Sequence, residues 1–333
     1  MQPVRFSQIA GHQKSLEVLK RAVAEGRLHH SLLFHGPEGV GKRTTAIALA
    51  AALNCGARQG DDACGVCVSC RKIEKGIHPD LHYVTLEKTV IPIDAIRKLR
   101  EEAAYRPFEG NRRVFIVDPA DRMSADAQNA LLKTLEEPSS TSCLVLVTSR
   151  LMHLLPTTRS RCAAIAFGTM PPSELAAHLA GTGARTGPDA DKAARLSGGR
   201  YGAALALDLE EHEAHRDALL SVLGRLSEDH PRAHVLDDIE AFGEDAGGTA
   251  RQLTILAGLV RDMMVLDSGA PETALIHADR RDDVSMLSAR FAGRLDTMLD
   301  RVRLASSDID RNVNRKLLLE TLLFDLAACR VHR

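Results

Sequence analysis

The stretch GPEGVGKRT, Gly36 to Thr44, constrains this chain more than any other feature. It follows the apolar run SLLFH and precedes KRTTAIALAAALN, so it reads as a loop joining a strand to a helix. Gly36, Gly39 and Gly41 let backbone N–H groups close around phosphate at the start of that helix, and Lys42 is placed to reach the outer phosphates. A strand feeding a helix in this way belongs in a parallel sheet covered by helices. The residue after the lysine departs from the pattern. Arg43 stands where a hydroxyl ligates Mg²⁺, and Thr44 lies about 100° further round the helix.

Three further apolar runs, LHYVTL, RRVFIVD and CLVLVTS, alternate with the helical patterns IDAIRKLREEAAY and SADAQNALLKTLEE, the second with Ser124 as its N-cap. None of the runs alternates strictly, as expected of strands covered on both faces. RRVFIVD ends at Asp118, a position from which an ATPase of this kind organises Mg²⁺, with a following Glu to activate water. Pro119 occupies the Glu position, leaving Asp121 as the nearest replacement. Beyond Phe167 the strand patterns stop. The expected division is an α/β nucleotide-binding-like domain over 1–166, a small helical lid over 167–209 and an all-helical domain over 210–333.

Four of the seven cysteines, Cys55, Cys64, Cys67 and Cys70, follow C-x8-C-x2-C-x2-C. Short x2 spacings present several thiolates to one ion, so this spacing predicts a closed structural Zn²⁺ site, with buried unligated thiols as the alternative. No apolar stretch approaches the roughly 20 residues that span a bilayer. The first residues lack a signal-peptide pattern, so a cytoplasmic location is expected. A net charge of −1, no tryptophan and 3% aromatics disfavour a protein that coats DNA by bulk charge or stacks its bases. TTRSRC, after the last strand pattern, carries Arg161. Taken alone it reads as a solvated turn residue; placed beside a neighbouring subunit it can serve as an arginine finger in trans.

HHSLLFHGPEGVGK, ALNC with its cysteine module, VFIVDPADRMSADAQNALLKTLEEP and TSRLMHLLPTTRSRC together resemble the delta-prime-type subunits of bacterial DNA polymerase III clamp loaders, within the AAA+ superfamily. The likeness is strong over residues 5–166 and topological beyond, where NVNRKLLLETLLFDLA matches loosely. It implies a P-loop AAA+ domain, a lid and a helical collar that closes a hetero-pentameric ring with motor (gamma/tau-type) and clamp-opening (delta-type) subunits. That ring places a sliding clamp on primed DNA at the expense of ATP. The resemblance also implies that Arg161 is a finger for an adjacent motor subunit and that Ser149 is a first sensor position. Three departures set this chain apart from a motor: Lys42-Arg43, Asp118-Pro119, and Ala203 where a lid arginine is expected, Arg200 falling three residues early. They imply a non-hydrolysing subunit and leave open whether the loop still holds ATP or ADP. Two alternatives stand beside it: a motor ATPase using Thr44 and Asp121, and a zinc-dependent nucleic-acid binder.

Overall fold

The computed structural model describes residues 5–331 other than 59, 88, 138, 229–234, 244 and 310–312. The chain forms two compact units, the first running to Ala206 and the second beginning at Leu207. In the first, β1 (Ser31–His35), β2 (Leu81–Val84), β3 (Arg113–Val117), β4 (Ser142–Thr148) and β5 (Ala163–Ala166) pair in parallel in the order β2-β3-β4-β1-β5. Its helices are α1 (Gln13–Ala24), α2 (Lys42–Asn54), α3 (Val68–Glu74), α4 (Ile93–Ala103), α5 (Ala125–Glu136), α6 (Pro156–Arg159), α7 (Pro172–Gly181), α8 (Pro188–Leu196) and α9 (Tyr201–Ala206).

The sheet explains why its strands read as unbroken apolar runs. On β3, Val114 and Ile116 pack with Leu19, Ile47 and Leu49 of α1 and α2, while Phe115 and Val117 pack with Ile96, Leu99 and Leu131 of α4 and α5. Both faces are therefore dry. β5 is a strand that the apolar pattern does not predict. Its AAIA is short and half exposed, and its place is set by pairing with β1, from Leu32 opposite Ala163 to His35 opposite Ala166. Because all pairs are parallel, the carboxyl ends of β1, β4 and β3 lie side by side, which brings together the loop after His35, Ser149 and Asp118.

Asp80, just before β2, organises the edge of the sheet. Fully buried, it accepts backbone N–H bonds from Phe108 (2.6 Å), Glu109 (2.9 Å) and Gly110 (2.7 Å), with Arg113 Nε 3.5 Å away. Burial pushes its carboxyl up, but the three N–H donors outweigh it and hold it below the ordinary aspartate range. A depressed native pKa contributes stability above the unfolded value of about 3.9 that is lost as pH falls through the native value. Asp80→Asn is expected to cost about 1–3 kcal/mol at neutral pH. It should also flatten the acid limb of the stability profile, as denaturant unfolding from pH 7 downward will read.

All the regular structure among the described residues of the second unit is helical: α10 (Leu209–Leu226), α11 (Val235–Asp238), α12 (Ala246–Asp267), α13 (Arg281–Arg290), α14 (Leu295–Asp308) and α15 (Arg315–Ala328), with single turns of 3₁₀ helix. Leu223, Leu256, Leu259, Val302, Leu319 and Leu323 form its core. No helix among the described residues is long and apolar enough to cross a membrane. A parallel sheet between helix layers, followed by an all-helical unit, is the fold class expected above.

Candidate functional site

The loop between β1 and α2 has the backbone its glycines predict. Gly36 has φ of +145°, and a Cβ there would lie 2.0 Å from the carbonyl oxygen of Phe167, so only glycine lets the loop pass β5. Gly41, the N-cap of α2, has φ of +107° and open space where a Cβ would stand. Lys42 is buried, and its Nζ donates to the carbonyls of Gly36 (2.6 Å) and Pro37 (2.5 Å). Burial pushes its ammonium below the ordinary lysine range, against the pull of Asp118, Glu38 and Asp121. The N–H of Gly202, in α9, donates to the carbonyl of Gly39 at 2.7 Å, so this helix already rests on the loop. A cleft of about 390 Å³ remains, bordered by Gln8, Ile9, Glu38, Thr44, Tyr201 and Leu205 as well as Lys42, Arg43 and Asp118.

Arg43 Nε lies 2.7 Å from Asp118 Oδ2. The guanidinium thus occupies the carboxylate that would organise a metal. Burial still holds the Asp118 carboxyl above the ordinary range, opposed by Arg43 and Lys42. Mg²⁺ requires near-octahedral oxygen ligands at about 2.0–2.1 Å. Position 43 offers it no oxygen and Asp118 offers it a neighbour of like charge, so these residues do not fit the ion.

The candidate replacement base is also engaged. Asp121 is buried, with Oδ1 accepting from Thr148 Oγ1 (2.7 Å) and from the N–H of Ser149 (3.3 Å). Ser149 is exposed at the end of β4. Thr44 borders the cleft. Ala203 lies in α9 with its N 3.2 Å from where a Cβ of Gly39 would stand, and Arg200 Nε donates to the carbonyl of Ser197 at 2.8 Å.

The four cysteines come together. Their sulfurs all lie within 4.8 Å of one another, with Cys55 and Cys67 at 3.9 Å and Cys64 and Cys70 at 4.0 Å. A ZnS₄ tetrahedron with Zn–S of about 2.3 Å has edges of about 3.8 Å, so the cluster has metal-binding dimensions. Backbone N–H groups of Val66 and Cys67 point at Cys64 Sγ (3.4 and 3.3 Å) and lower its thiol to about 6. Burial pushes Cys70 up. A neighbour that the spacing did not reveal is Asp62, whose carboxylate accepts from the N–H groups of Phe6 (2.9 Å) and Ser7 (3.1 Å). It ties the cysteine loop to the segment that continues as Gln8, Ile9 and Ala10 along the cleft.

Arg161 follows α6 and is about one-third exposed. Its Nε donates to Glu136 Oε1 at 2.6 Å, its Nη2 contacts the same oxygen, and its Nη1 donates to the carbonyl of Thr157 at 3.0 Å. Glu136, at the end of α5, was not distinguishable in the sequence from any other solvated helix acid.

A family model described as "DNA polymerase III, delta subunit" matches residues 11–171, and one described as "DNA polymerase III, delta subunit, C terminal" matches residues 210–328. DNA polymerase III subunit delta' of Bacillus subtilis is 36% identical over 160 residues, 48% of this chain and 48% of the relative. Subunit delta' of Pseudomonas aeruginosa is 40% identical over 135 residues, 40% of this chain and 41% of the relative. Subunit gamma/tau of Mycobacterium tuberculosis is 36% identical over 179 residues, 54% of this chain and 31% of the relative. The chain spans about half or less of the length of the curated relatives it matches. With its sheet-bearing unit and its helical unit both matched by models of one subunit, this chain belongs to the DNA polymerase III delta-subunit family.

Proposed function

We propose that this chain is the non-hydrolysing, delta-prime-like member of a DNA polymerase III clamp loader. It serves as a ring scaffold and lends Arg161 to the nucleotide site of a neighbouring motor subunit while a sliding clamp is loaded onto primed DNA in replication. The observation that carries this reading is the ion pair between Arg43 and Asp118, the two positions from which a motor subunit would be expected to organise Mg²⁺. Pro119 in the position of the water-activating Glu, and Asp121 committed to Thr148 and Ser149, support it.

Residues 1–166 then form the AAA+ domain, with a structural Zn²⁺ on Cys55, Cys64, Cys67 and Cys70. Residues 167–209 form the lid and 210–333 the collar. The partners are gamma/tau-type motors and a delta-type clamp opener in a hetero-pentameric ring in the cytoplasm, away from membranes. The gamma/tau relative, as similar as the Bacillus delta' relative, favours the second reading, a motor ATPase using Thr44 and Asp121.

Turnover separates the two. Loss of the base alone lowers a rate by about 10²–10⁴, and here the metal site is taken as well. The purified chain, given sliding clamp, primed DNA and Mg²⁺-ATP, is expected to release phosphate at the background rate. Mg²⁺-dependent release well above background establishes the motor and overturns the scaffold.

A further inference from the structure

The misfit to Mg²⁺ leaves a cleft that is otherwise built. The left-handed glycines, Lys42 and the start of α2 are in place, and α9 rests on Gly39. The cleft is also lined by Ile9, Tyr201 and Leu205, apolar surface of the kind that takes a flat ring. We propose that this cleft binds a nucleoside di- or triphosphate without a divalent ion, the guanidinium of Arg43 supplying N–H donors to the phosphates where a metal would otherwise sit. The proposal rests on the non-hydrolysing reading of the same site.

The chemistry follows from how Arg43 is held. A guanidinium has five N–H donors in a rigid fork. Asp118 meets it at Nε, 2.7 Å away, which anchors the group. The side chain is half exposed and borders the cleft, which leaves room for its remaining N–H donors to pair with phosphate oxygens in the two-pronged geometry that arginine favours. Lys42 supplies the second cation by exchanging its bonds to the carbonyls of Gly36 and Pro37 for phosphate. The opposing carboxylates are few. Asp118 is paired with Arg43, Asp121 is hydrogen-bonded to Thr148 and Ser149, and Glu38 lines the cleft, so it is the donors of Arg43 and Lys42 and the N–H groups of the loop, more than net charge, that meet the phosphates. A dication entering the site competes with Arg43 for Asp118, so Mg²⁺ is expected to add little affinity.

The test is titration of the full-length chain with ADP and with ATP, once in EDTA and once in millimolar Mg²⁺, with phosphate release recorded on the same samples. The expected result is saturable binding in both buffers with dissociation constants within about twofold of each other. Arg43→Ser removes the internal cation and frees Asp118. It is expected to weaken binding in EDTA about tenfold or more, the size of one lost charge-assisted pair, and to regain affinity when Mg²⁺ is added. No saturable binding in either buffer, wild-type binding abolished by EDTA, or an Arg43→Ser variant that binds equally well in EDTA would each overturn the proposal. Phosphate release in Mg²⁺ overturns the non-hydrolysing reading, whatever the binding curves show. Wild-type binding that tolerates EDTA, with no release, supports both.

Discussion

Arg161→Ala, assembled with motor and clamp-opening subunits, is expected to abolish clamp- and DNA-stimulated ATP hydrolysis by the complex while the variant chain folds and assembles normally. An arginine finger stabilises charge that develops on the transferred phosphoryl group and is worth about 10³–10⁵ in turnover. The cost to folding is small by comparison. Arg161 is partly exposed, and what it loses is a surface pair with Glu136 and one bond to the carbonyl of Thr157. Exposed pairs of this kind contribute about 0.2–1 kcal/mol. Stability and catalysis are therefore predicted to separate by orders of magnitude, which steady-state turnover and thermal melting of the same preparation will reveal. Arg161→Lys is expected to fall with the alanine variant, because an ammonium keeps the charge but loses the fork that spans two oxygens. Wild-type turnover by the Arg161→Ala complex sinks the finger assignment.

The parts of this protein that are legible in its sequence are those whose physics is local. Ser124 caps α5 by accepting from the N–H of Ala127 at 3.1 Å, a contact three residues long that the pattern around it announces. The continuous apolar runs of β1, β3 and β4 follow from burial on both faces, so they read as strands without any knowledge of their partners. β5 escaped because AAIA carries almost no burial signal of its own. The same limit governs the site. The loss of a hydroxyl at Arg43 is visible in one residue, but its consequence lies in a bond to Asp118 across the loop. The spare carboxylate of Asp121 looked free until the fold laid Thr148 against it. Glu136, Asp62 and Asp80 stand in ordinary polar stretches, and each acquires its role from a segment between 25 and 56 residues away.

The cysteine cluster is where removal of one component should travel farthest. Three of its thiols are buried and the fourth is half-buried, and they sit at the spacing of a ZnS₄ edge. Backbone N–H groups already aim at Cys64, which favours the thiolate there, whereas burial above all, with the neighbouring sulfurs, disfavours charge on Cys70. A dication resolves this conflict by taking all four sulfurs as thiolates. The purified chain is accordingly expected to carry one zinc per molecule. Stripping it with a chelator, or making Cys64→Ser, is expected to cost about 3–5 kcal/mol, less than the full binding energy of a small zinc domain because α2 retains its own core. For a unit of this size that is a drop of about 10 °C in melting temperature. The damage should not stop at the cluster. Asp62 holds the N–H groups of Phe6 and Ser7, and the next residues border the cleft beside the loop before α2, so amides from Phe6 to Ala10 are expected to lose hydrogen-exchange protection together with those of α3. A chain that contains no zinc, and whose melting and exchange do not respond to chelator, would show that the four thiols are a packed cluster and not a metal site.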